Sequence, residues 1–389
     1  MRRPKNTMPL PPEDPPVIVA TWGEFRRVST CGWIVLAFTG LVLAAVWSWG
    51  SAAQWLGQAG LLWMLVTYQA RHSLPLNRKS PEAVLYPRLG LANRLTIVRG
   101  WLIACTGGFL FQHAPAGVLA LMPAGFYGLA AIIDRIDGFA ARKTGQVSQM
   151  GMELDTVFDA LGLAIAPLLA VCYGKIHWSY LLVSCAYYLF RWGLSYRQNN
   201  ALPLFPLQPK LSRRAIAGFQ MGFIAVVLFP VFQPPATHIA GFAFMLPVLC
   251  GFLIDWLLVS GRISDESVIT HEVLKRGEKR IYLFTQPTLR LLLAGLLLTG
   301  LFRHSSLSES PLILGAMLAC GLLILLGIMG RAVALVLLLL LGAENSSQLV
   351  TLVDGLVLPI TVWILVLGTG HFSWWRWDED WVNRYDGAS

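Results

Sequence analysis

The chain has 389 residues, of which 56% are hydrophobic and only 13% are charged, and its mean hydropathy is +0.60. A water-soluble domain needs charged residues to cover its surface, so this composition excludes a soluble globule, and it equally excludes a disordered chain. It predicts an all-α, polytopic membrane protein, because lipid offers no partners for backbone amides and each span must satisfy its own hydrogen bonds.

The charge of the chain follows membrane topology. There are 30 Lys and Arg against 21 Asp and Glu, which gives a net charge of +9. The basic residues gather in short loops between apolar runs, whereas the loops near residues 50, 114, 174 and 234 hold almost none. Basic loops face the cytoplasm. We therefore expect no nucleic-acid partner, and with an even number of spans we expect both termini in the cytoplasm.

Twelve apolar runs are candidate spans. The shortest, at 331–343, leaves the exact number of crossings open, because a span needs about 20 residues. The runs lie near 31–49, 52–70, 95–112, 116–135, 154–173, 177–194, 213–232, 236–260, 284–302, 311–330, 331–343 and 349–369.

The apolar runs and the polar stretches between them divide the chain into five predicted segments. Residues 1–28 are rich in proline and are predicted to form a flexible cytoplasmic tail. Residues 29–87 hold two extra transmembrane helices and a basic loop. Six spans follow in residues 88–262. A polar linker at 263–280 then leads to a C-terminal membrane unit of about four helices at 281–389.

Acidic residues are rare in the middle of the chain and occur in one place. Only five lie between Glu82 and Asp255, and all of them fall within the 26 residues from Asp134 to Asp159. A carboxylate near membrane depth is costly unless it has a cation or a water-filled cavity. The cluster therefore marks the candidate functional site.

Four of these acids fall into two pairs. Asp134 and Asp137 are three residues apart, and Asp155 and Asp159 are four apart, so each pair shares one face of its helix. If the two helices are antiparallel neighbours, the four carboxylates converge. Converging carboxylates repel each other unless hard divalent cations hold them, and Mg²⁺ or Mn²⁺ is the expected occupant.

Two glycines accompany the acidic pairs. Gly138 and Gly151 remove side-chain bulk where a nucleotide or diphosphate would approach the backbone. A purely structural alternative pairs each aspartate with a nearby cation, for which Arg135, Arg142 and Lys143 are available. Four aspartates on two facing stripes, with glycines on the same faces, favour the functional interpretation.

These residues resemble the signature of the CDP-alcohol phosphatidyltransferases, D-x2-D-G-x2-A-R-x8-G-x3-D-x3-D, with every spacing kept. The matching residues are Asp134, Asp137, Gly138, Ala141, Arg142, Gly151, Asp155 and Asp159. An upstream stretch is similar to the family's N-x-L-T-x-x-R pattern, through Asn93, Leu95, Thr96 and Arg99. The resemblance covers residues 88–262, whose six spans match the family's six-helix core.

The resemblance implies an activity in phospholipid biosynthesis. A CDP-linked lipid, usually CDP-diacylglycerol, gives its phosphatidyl group to the hydroxyl of a small alcohol and releases CMP. Two Mg²⁺ or Mn²⁺ ions would lie among Asp134, Asp137, Asp155 and Asp159, and Asp159 would also act as the general base. The residues implied to line the CDP and diphosphate pocket are Thr96, Arg99, Gly138, Ala141, Arg142 and Gly151. The enzyme would work among membrane lipids, and a homodimer is expected.

The acceptor and the flanking segments are less defined. Lys210, Arg213 and Arg214 would bind the phosphate of an acceptor such as glycerol 3-phosphate or inositol phosphate, or they only set topology. Residues 281–389 faintly resemble the DoxX-like membrane proteins. The alternative function is a membrane cation transporter that uses the clustered aspartates. A transporter would be expected to carry its acids at the midplane, whereas this cluster is predicted at the basic face.

Overall fold

The computed structural model of the protein is built from α-helices joined by short loops. It describes residues 15–207, 211–263, 276–277, 279–304, 311–344 and 352–378. No β-strand occurs among these residues.

Twelve α-helices lie in the described ranges. Each overlaps one of the twelve predicted apolar runs, so the predicted all-α, polytopic architecture is confirmed. The helices are α1 (Pro15–Val46), α2 (Trp49–His72), α3 (Leu91–Gly107), α4 (Leu121–Thr144), α5 (Gln149–Cys172), α6 (Leu181–Asn199), α7 (Leu211–Val227), α8 (Ala236–Val259), α9 (Gln286–His304), α10 (Pro311–Leu326), α11 (Gly330–Glu344) and α12 (Leu352–Leu367).

The helices present apolar side chains on their outer faces. On α1, Ile34 is 63% exposed, Phe38 is 66% exposed and Leu41 is 64% exposed. Such continuous apolar exposure is typical of a lipid-facing surface, and the chain is an integral membrane protein. Five described helical stretches are long and apolar enough to cross a membrane: Ala20–Val46, Gly117–Thr144, Gln149–Cys172, Ala236–Val259 and Ile281–Thr299. Four further described apolar helices are shorter, with 10–17 residues.

Several helices extend beyond the predicted runs, and two of these extensions matter for the site and the tail. Residues 15–28 belong to α1 rather than to a flexible tail, and residues 1–14 lie outside the described part of the chain. A helix can begin at Pro15 because its first turn needs no amide donors. Helix α4 continues to Thr144, past the predicted end at 135. The aspartates therefore lie inside helices rather than at helix ends.

The first compact unit contains α1 to α5 and residues 221–230. Helix α3 packs against α2, α4 and α5. A Cβ atom at Gly100 of α3 would lie 2.7 Å from Val66 Cγ1 and 3.0 Å from Phe158 Cε2. Small residues at helix crossings let membrane helices approach closely. Gly100 thus allows α3 to lie tightly between α2 and α5.

The two extra N-terminal helices are an integral part of this first unit. The indole Nε1 of Trp55 on α2 donates to the carbonyl oxygen of Cys105 on α3, at 3.1 Å. The indole Nε1 of Trp101 on α3 donates to the carbonyl oxygen of Gly32 on α1, at 3.0 Å. Both bonds connect the N-terminal helices to α3.

The second compact unit contains α6, residues 211–220 of α7, and α8 to α12. Helices α9 to α12 form a ring in which each packs against the next and α12 closes against α9. Arg290 of α9 is only 4% exposed. Its guanidinium donates to the carbonyl oxygens of Ile324, at 2.9 Å, Thr369, at 3.2 Å, and His371, at 3.0 Å. Arg290 thus connects the last turn of α10 to the segment that follows α12.

The other predicted segment boundaries stay predictions. Most of the linker at 263–280 lies outside the described residues. The likeness of residues 281–389 to the DoxX-like proteins also stays a prediction.

Candidate active site

Helices α4 and α5 carry the two halves of the predicted signature. Helix α4 is capped by Gly145, whose φ of +66° is the left-handed conformation that glycine adopts most easily. The Ser148 hydroxyl caps α5 by accepting a hydrogen bond from the Gly151 amide, at 3.0 Å. The short turn between Gly145 and Ser148 thus fixes where both helices end.

A buried arginine on α3 brings the four aspartates together. The Arg99 side chain is 0% exposed, and its Nη1 lies 2.5 Å from Asp134 Oδ1 and 2.7 Å from Asp155 Oδ1. The same Nη1 is 3.7 Å from Asp137 Oδ2. The other terminal nitrogen, Nη2, lies 2.6 Å from Asp159 Oδ1. All four predicted aspartates therefore surround one guanidinium group.

Helix α3 brings the aspartates of α4 and α5 together. This helix packs extensively against both α4 and α5, whereas α4 and α5 touch each other over a small area. The sequence pattern suggested that α4 and α5 would meet directly as antiparallel neighbours. In the structure the intervening α3 supplies the common contact.

Three of the aspartates form a group that fits a metal ion. Asp134, Asp155 and Asp159, here called the carboxylate triad, each place one oxygen within 4.8 Å of the others. Carboxylate oxygens are the hard donors that Mg²⁺ and Mn²⁺ prefer. The side chains of Asp155 and Asp159 are 51% and 45% exposed, so the triad is open on one side. The donor set therefore fits a divalent cation next to a bound substrate.

The fourth aspartate has a different environment. The Asp137 side chain is only 8% exposed, and its Oδ2 accepts a hydrogen bond from the Thr96 hydroxyl, at 2.9 Å. Thr96 and Arg99 lie one turn apart on α3, so the upstream pattern in the sequence faces the signature. The predicted role of Asp137 as a metal ligand stays a prediction, because it lies outside the carboxylate triad.

Gly151 fits against protein side chains. A Cβ atom there would lie 2.9 Å from Asn93 Oδ1 and 3.3 Å from Ser148 Oγ. Asn93 Nδ2 donates to Asn77 Oδ1, at 2.9 Å, and Ser148 Oγ donates to Asn93 Oδ1, at 3.0 Å. This polar chain links the loop before α3 to the first turn of α5. The sequence reasoning missed Asn77 and Ser148, although a serine three residues before a helical glycine is a recognisable cap.

The remaining predicted site residues are less constrained. At Gly138 the nearest atom to a Cβ would be Arg142 Nη1, at 3.4 Å, and Arg142 is exposed. Ala141 is half-buried. The predicted roles of these residues and of Thr96, Arg99 and Gly151 in binding CDP stay predictions. The predicted acceptor-binding groups, Lys210 and the side chains of Arg213 and Arg214, lie outside the described residues.

The cation that pairs with the aspartates is not one of those considered from the sequence for this role. Arg135 is exposed, and Lys143 Nζ lies 5.7 Å above the ring of Phe139. Arg99 occupies the position that these residues were considered for. An arginine within the apolar run of α3 was the available signal, because such a charge requires a partner.

Comparison with known proteins identifies the class of this site. Residues 89–253 match the family model described as CDP-alcohol phosphatidyltransferase. The match covers α3 to α7 and most of α8, including the aspartates and Arg99. Residues 89–253 are therefore similar to the CDP-alcohol phosphatidyltransferases, as the signature predicted.

Two curated relatives are similar over shorter stretches. The CDP-diacylglycerol–serine O-phosphatidyltransferase of Mycobacterium leprae (strain TN) is 38% identical over 99 residues, which are 24% of this chain and 28% of the relative. The protein of the same name from Methanocaldococcus jannaschii is 43% identical over 53 residues, 13% of this chain and 26% of the relative. The chain thus spans about a quarter of the length of these relatives. No solved structure matches it.

Proposed function

We propose that the protein transfers a phosphatidyl group from CDP-diacylglycerol to the hydroxyl of a small alcohol and releases CMP. The observation that carries this proposal is the carboxylate triad, which gathers three oxygens within 4.8 Å inside a domain of the matching family. The transfer forms a bond between the acceptor oxygen and the phosphatidyl phosphorus. It breaks the bond from that phosphorus to the bridging oxygen that leaves with CMP.

Asp134, Asp155 and Asp159 would hold Mg²⁺ or Mn²⁺, and the family leads us to expect two ions, with Asp137 as a further ligand. A bound divalent ion supplies charge neutralisation for the diphosphate and stabilises the leaving CMP. The aspartates themselves contribute geometry. Their side chains are fixed by α4 and α5, so little ordering remains to be done when the substrate arrives.

Asp159 is our candidate for the general base. Its side chain is 45% exposed, and it reaches the cluster from one turn deeper in α5 than Asp155. A carboxylate beside the incoming hydroxyl can accept its proton as the new bond forms, which contributes about 10²- to 10⁴-fold in rate. The hydrogen bond from Arg99 holds one carboxylate oxygen of Asp159 in a fixed position.

Serine is the first acceptor to test, because both curated relatives are named for transfer to serine. A phosphorylated acceptor, such as glycerol 3-phosphate or inositol phosphate, is the alternative suggested by the basic residues 210–214. The two kinds of acceptor differ in the protein residues that they require. A phosphorylated acceptor needs Arg213 or Arg214, whereas serine brings its own carboxylate and ammonium groups and does not depend on a phosphate pocket.

We also propose that the site opens to the cytoplasm, with both termini on that side, because the basic loops gather there. A lipid donor then stays in the bilayer while a water-soluble acceptor arrives from the cytosol. A homodimer, expected from the family, is part of the same proposal. The cation-transporter alternative has no observation that favours it over the family match.

Purified protein in lipid nanodiscs containing CDP-diacylglycerol provides the direct test. We expect CMP release that requires Mg²⁺ or Mn²⁺ and one acceptor from the panel of serine, glycerol 3-phosphate, inositol phosphate, inositol and choline. An Arg213→Gln variant separates the acceptor classes, since it should raise the KM only for a phosphorylated acceptor. Absence of CMP release with every acceptor would overturn the proposal.

A further inference from the structure

The aspartate cluster has a cation of its own within the protein. Arg99 is 0% exposed, and its two terminal nitrogens reach Asp134, Asp155 and Asp159 within 2.7 Å. Nη2 also donates to the backbone carbonyl oxygen of Asp155, at 3.2 Å. An arginine cannot lose its proton in a protein, so this positive charge is permanent.

The Arg99 guanidinium and a divalent ion would bind the same aspartate side chains. Each member of the carboxylate triad offers one oxygen to a metal ion and also accepts a hydrogen bond from Arg99 or lies in ion-pair contact with it. We propose that Arg99 is an internal counter-cation of the triad, which keeps the aspartates assembled and competes with the divalent ion for them. The inference rests on the proposed function, since that is what assigns a metal ion to the triad.

Packing holds the backbone next to Arg99 in place. Its neighbour Gly100 leaves no room for a Cβ atom, because Val66 Cγ1 would lie at 2.7 Å and Phe158 Cε2 at 3.0 Å. The backbone at this position is therefore held between α2 and α5. A single positive charge against four carboxylates leaves a net negative site, so the ion is still attracted, but less strongly than by the bare cluster.

Metal affinity tests this directly. In the Arg99→Gln variant we expect Mn²⁺, measured by electron paramagnetic resonance or calorimetry, to bind about tenfold more tightly than in the wild type, or more, a change of about 1.4 kcal/mol. Thermal unfolding gives a second readout. The variant should melt lower than the wild type in EDTA, and Mn²⁺ should raise its Tm by a larger amount. Unchanged or weaker Mn²⁺ binding would overturn the proposal.

Two further variants keep the test decisive. Arg99→Lys retains a charge but loses the planar fork that reaches several carboxylates at once. It should bind Mn²⁺ more tightly than the wild type, and it decides the question if Arg99→Gln does not fold. Arg135→Gln is the matched control, because Arg135 is an exposed arginine next to Asp134. It should change the affinity less than about twofold, as expected for an exposed charge.

The outcomes separate this inference from the proposed function. Mn²⁺ binding that tightens in Arg99→Gln, without CMP release by the wild type, supports the counter-cation and rejects the transferase. CMP release by the wild type together with unchanged Mn²⁺ affinity in both Arg99 variants supports the transferase and rejects the counter-cation.

Discussion

Two of the buried arginines, one from each compact unit, meet different kinds of partner. Arg99 on α3 is 0% exposed and faces carboxylates, whereas Arg290 on α9 is 4% exposed and faces backbone carbonyl oxygens. Both satisfy the rule that a buried charge must be paired. The partners differ in what else they can do. Carboxylates can bind metal ions and accept protons, but carbonyl oxygens at helix ends mainly need a donor.

We therefore expect opposite roles for the Arg99 and Arg290 side chains. Changes around Arg99 should affect chemistry more than folding, and changes at Arg290 should affect folding more than chemistry. Measuring both the activity and the thermal stability of each variant tests this distinction.

The largest expected effect is at Asp159. We expect Asp159→Asn to lower kcat by about 10²- to 10⁴-fold, because asparagine cannot accept the proton of the acceptor hydroxyl. The Tm and the binding of CDP should change little, since the amide oxygen can still accept the hydrogen bond from Arg99. CMP release and CDP binding are the measurements.

Glu153→Gln is the matched control for Asp159→Asn. Glu153 lies on the same helix but accepts a hydrogen bond from Gln69 of α2, at 3.2 Å, outside the aspartate cluster. The activity of the Glu153→Gln variant should stay close to that of the wild type. If Asp159→Asn loses CDP binding as completely as it loses turnover, Asp159 is a structural ligand rather than the base.

Arg290 should give the next largest effect, and on stability. Arg290→Gln removes the donor to the carbonyl oxygens of Ile324, Thr369 and His371, which are buried or near the ends of helices. Each unsatisfied buried group costs about 1–3 kcal/mol, so we expect the free energy of unfolding to fall by about 3 kcal/mol or more. Thermal unfolding measures the change.

Arg376→Gln tests whether that loss comes from burial. Arg376 is exposed and donates to the Tyr282 hydroxyl, at 2.7 Å, so its loss should leave the Tm nearly unchanged. The distinction between the two arginines fails if folded Arg290→Gln protein shows a lower kcat at an unaltered Tm.

The sequence predicted the helices and the aspartates because both are local properties. The length of an apolar run decides whether a helix forms in lipid, and the spacing of Asp155 and Asp159 decides which face they share. The pairing of Arg99 with the aspartates is not local, since it joins residues 35 to 60 positions apart. It depends on how α3 packs between its neighbours, which no spacing rule encodes.

Gly151 also shows where a local argument stops. The sequence suggested that this glycine leaves room for a nucleotide, and the structure places Asn93 Oδ1 and Ser148 Oγ 2.9 Å and 3.3 Å from the position of a Cβ atom. Gly151→Ala should lower the free energy of unfolding by about 1–3 kcal/mol, because the new Cβ would lie 2.9 Å from Asn93 Oδ1. Thermal unfolding checks this expectation.

A double variant separates the two explanations for Gly151. Asn93→Ser shortens the opposing side chain, so Gly151→Ala should cost less stability in that background than in the wild type, as a double-mutant cycle would report. Additive effects on stability, combined with a raised KM for CDP-diacylglycerol in Gly151→Ala alone, would instead favour the nucleotide pocket.

The smallest expected effect concerns Trp55, which resembles Arg290 in function although it belongs to the unit of Arg99. Its Nε1 donates to the carbonyl oxygen of Cys105, which lies in the last turn of α3 where helical carbonyls lack amide partners. Trp55→Phe should cost about 1 kcal/mol of stability and leave kcat unchanged.

Trp49→Phe is the control, because Trp49 is 76% exposed at the start of the same helix. We expect Trp55→Phe to lower the Tm and Trp49→Phe to leave it unchanged, with equal kcat values. That result would mean that the partner of a buried donor determines the donor's role in either compact unit. A lower kcat in folded Trp55→Phe would mean that the N-terminal helices reach the chemistry through α3. In that case the distinction between carboxylate-bound and carbonyl-bound donors would not hold within the first unit.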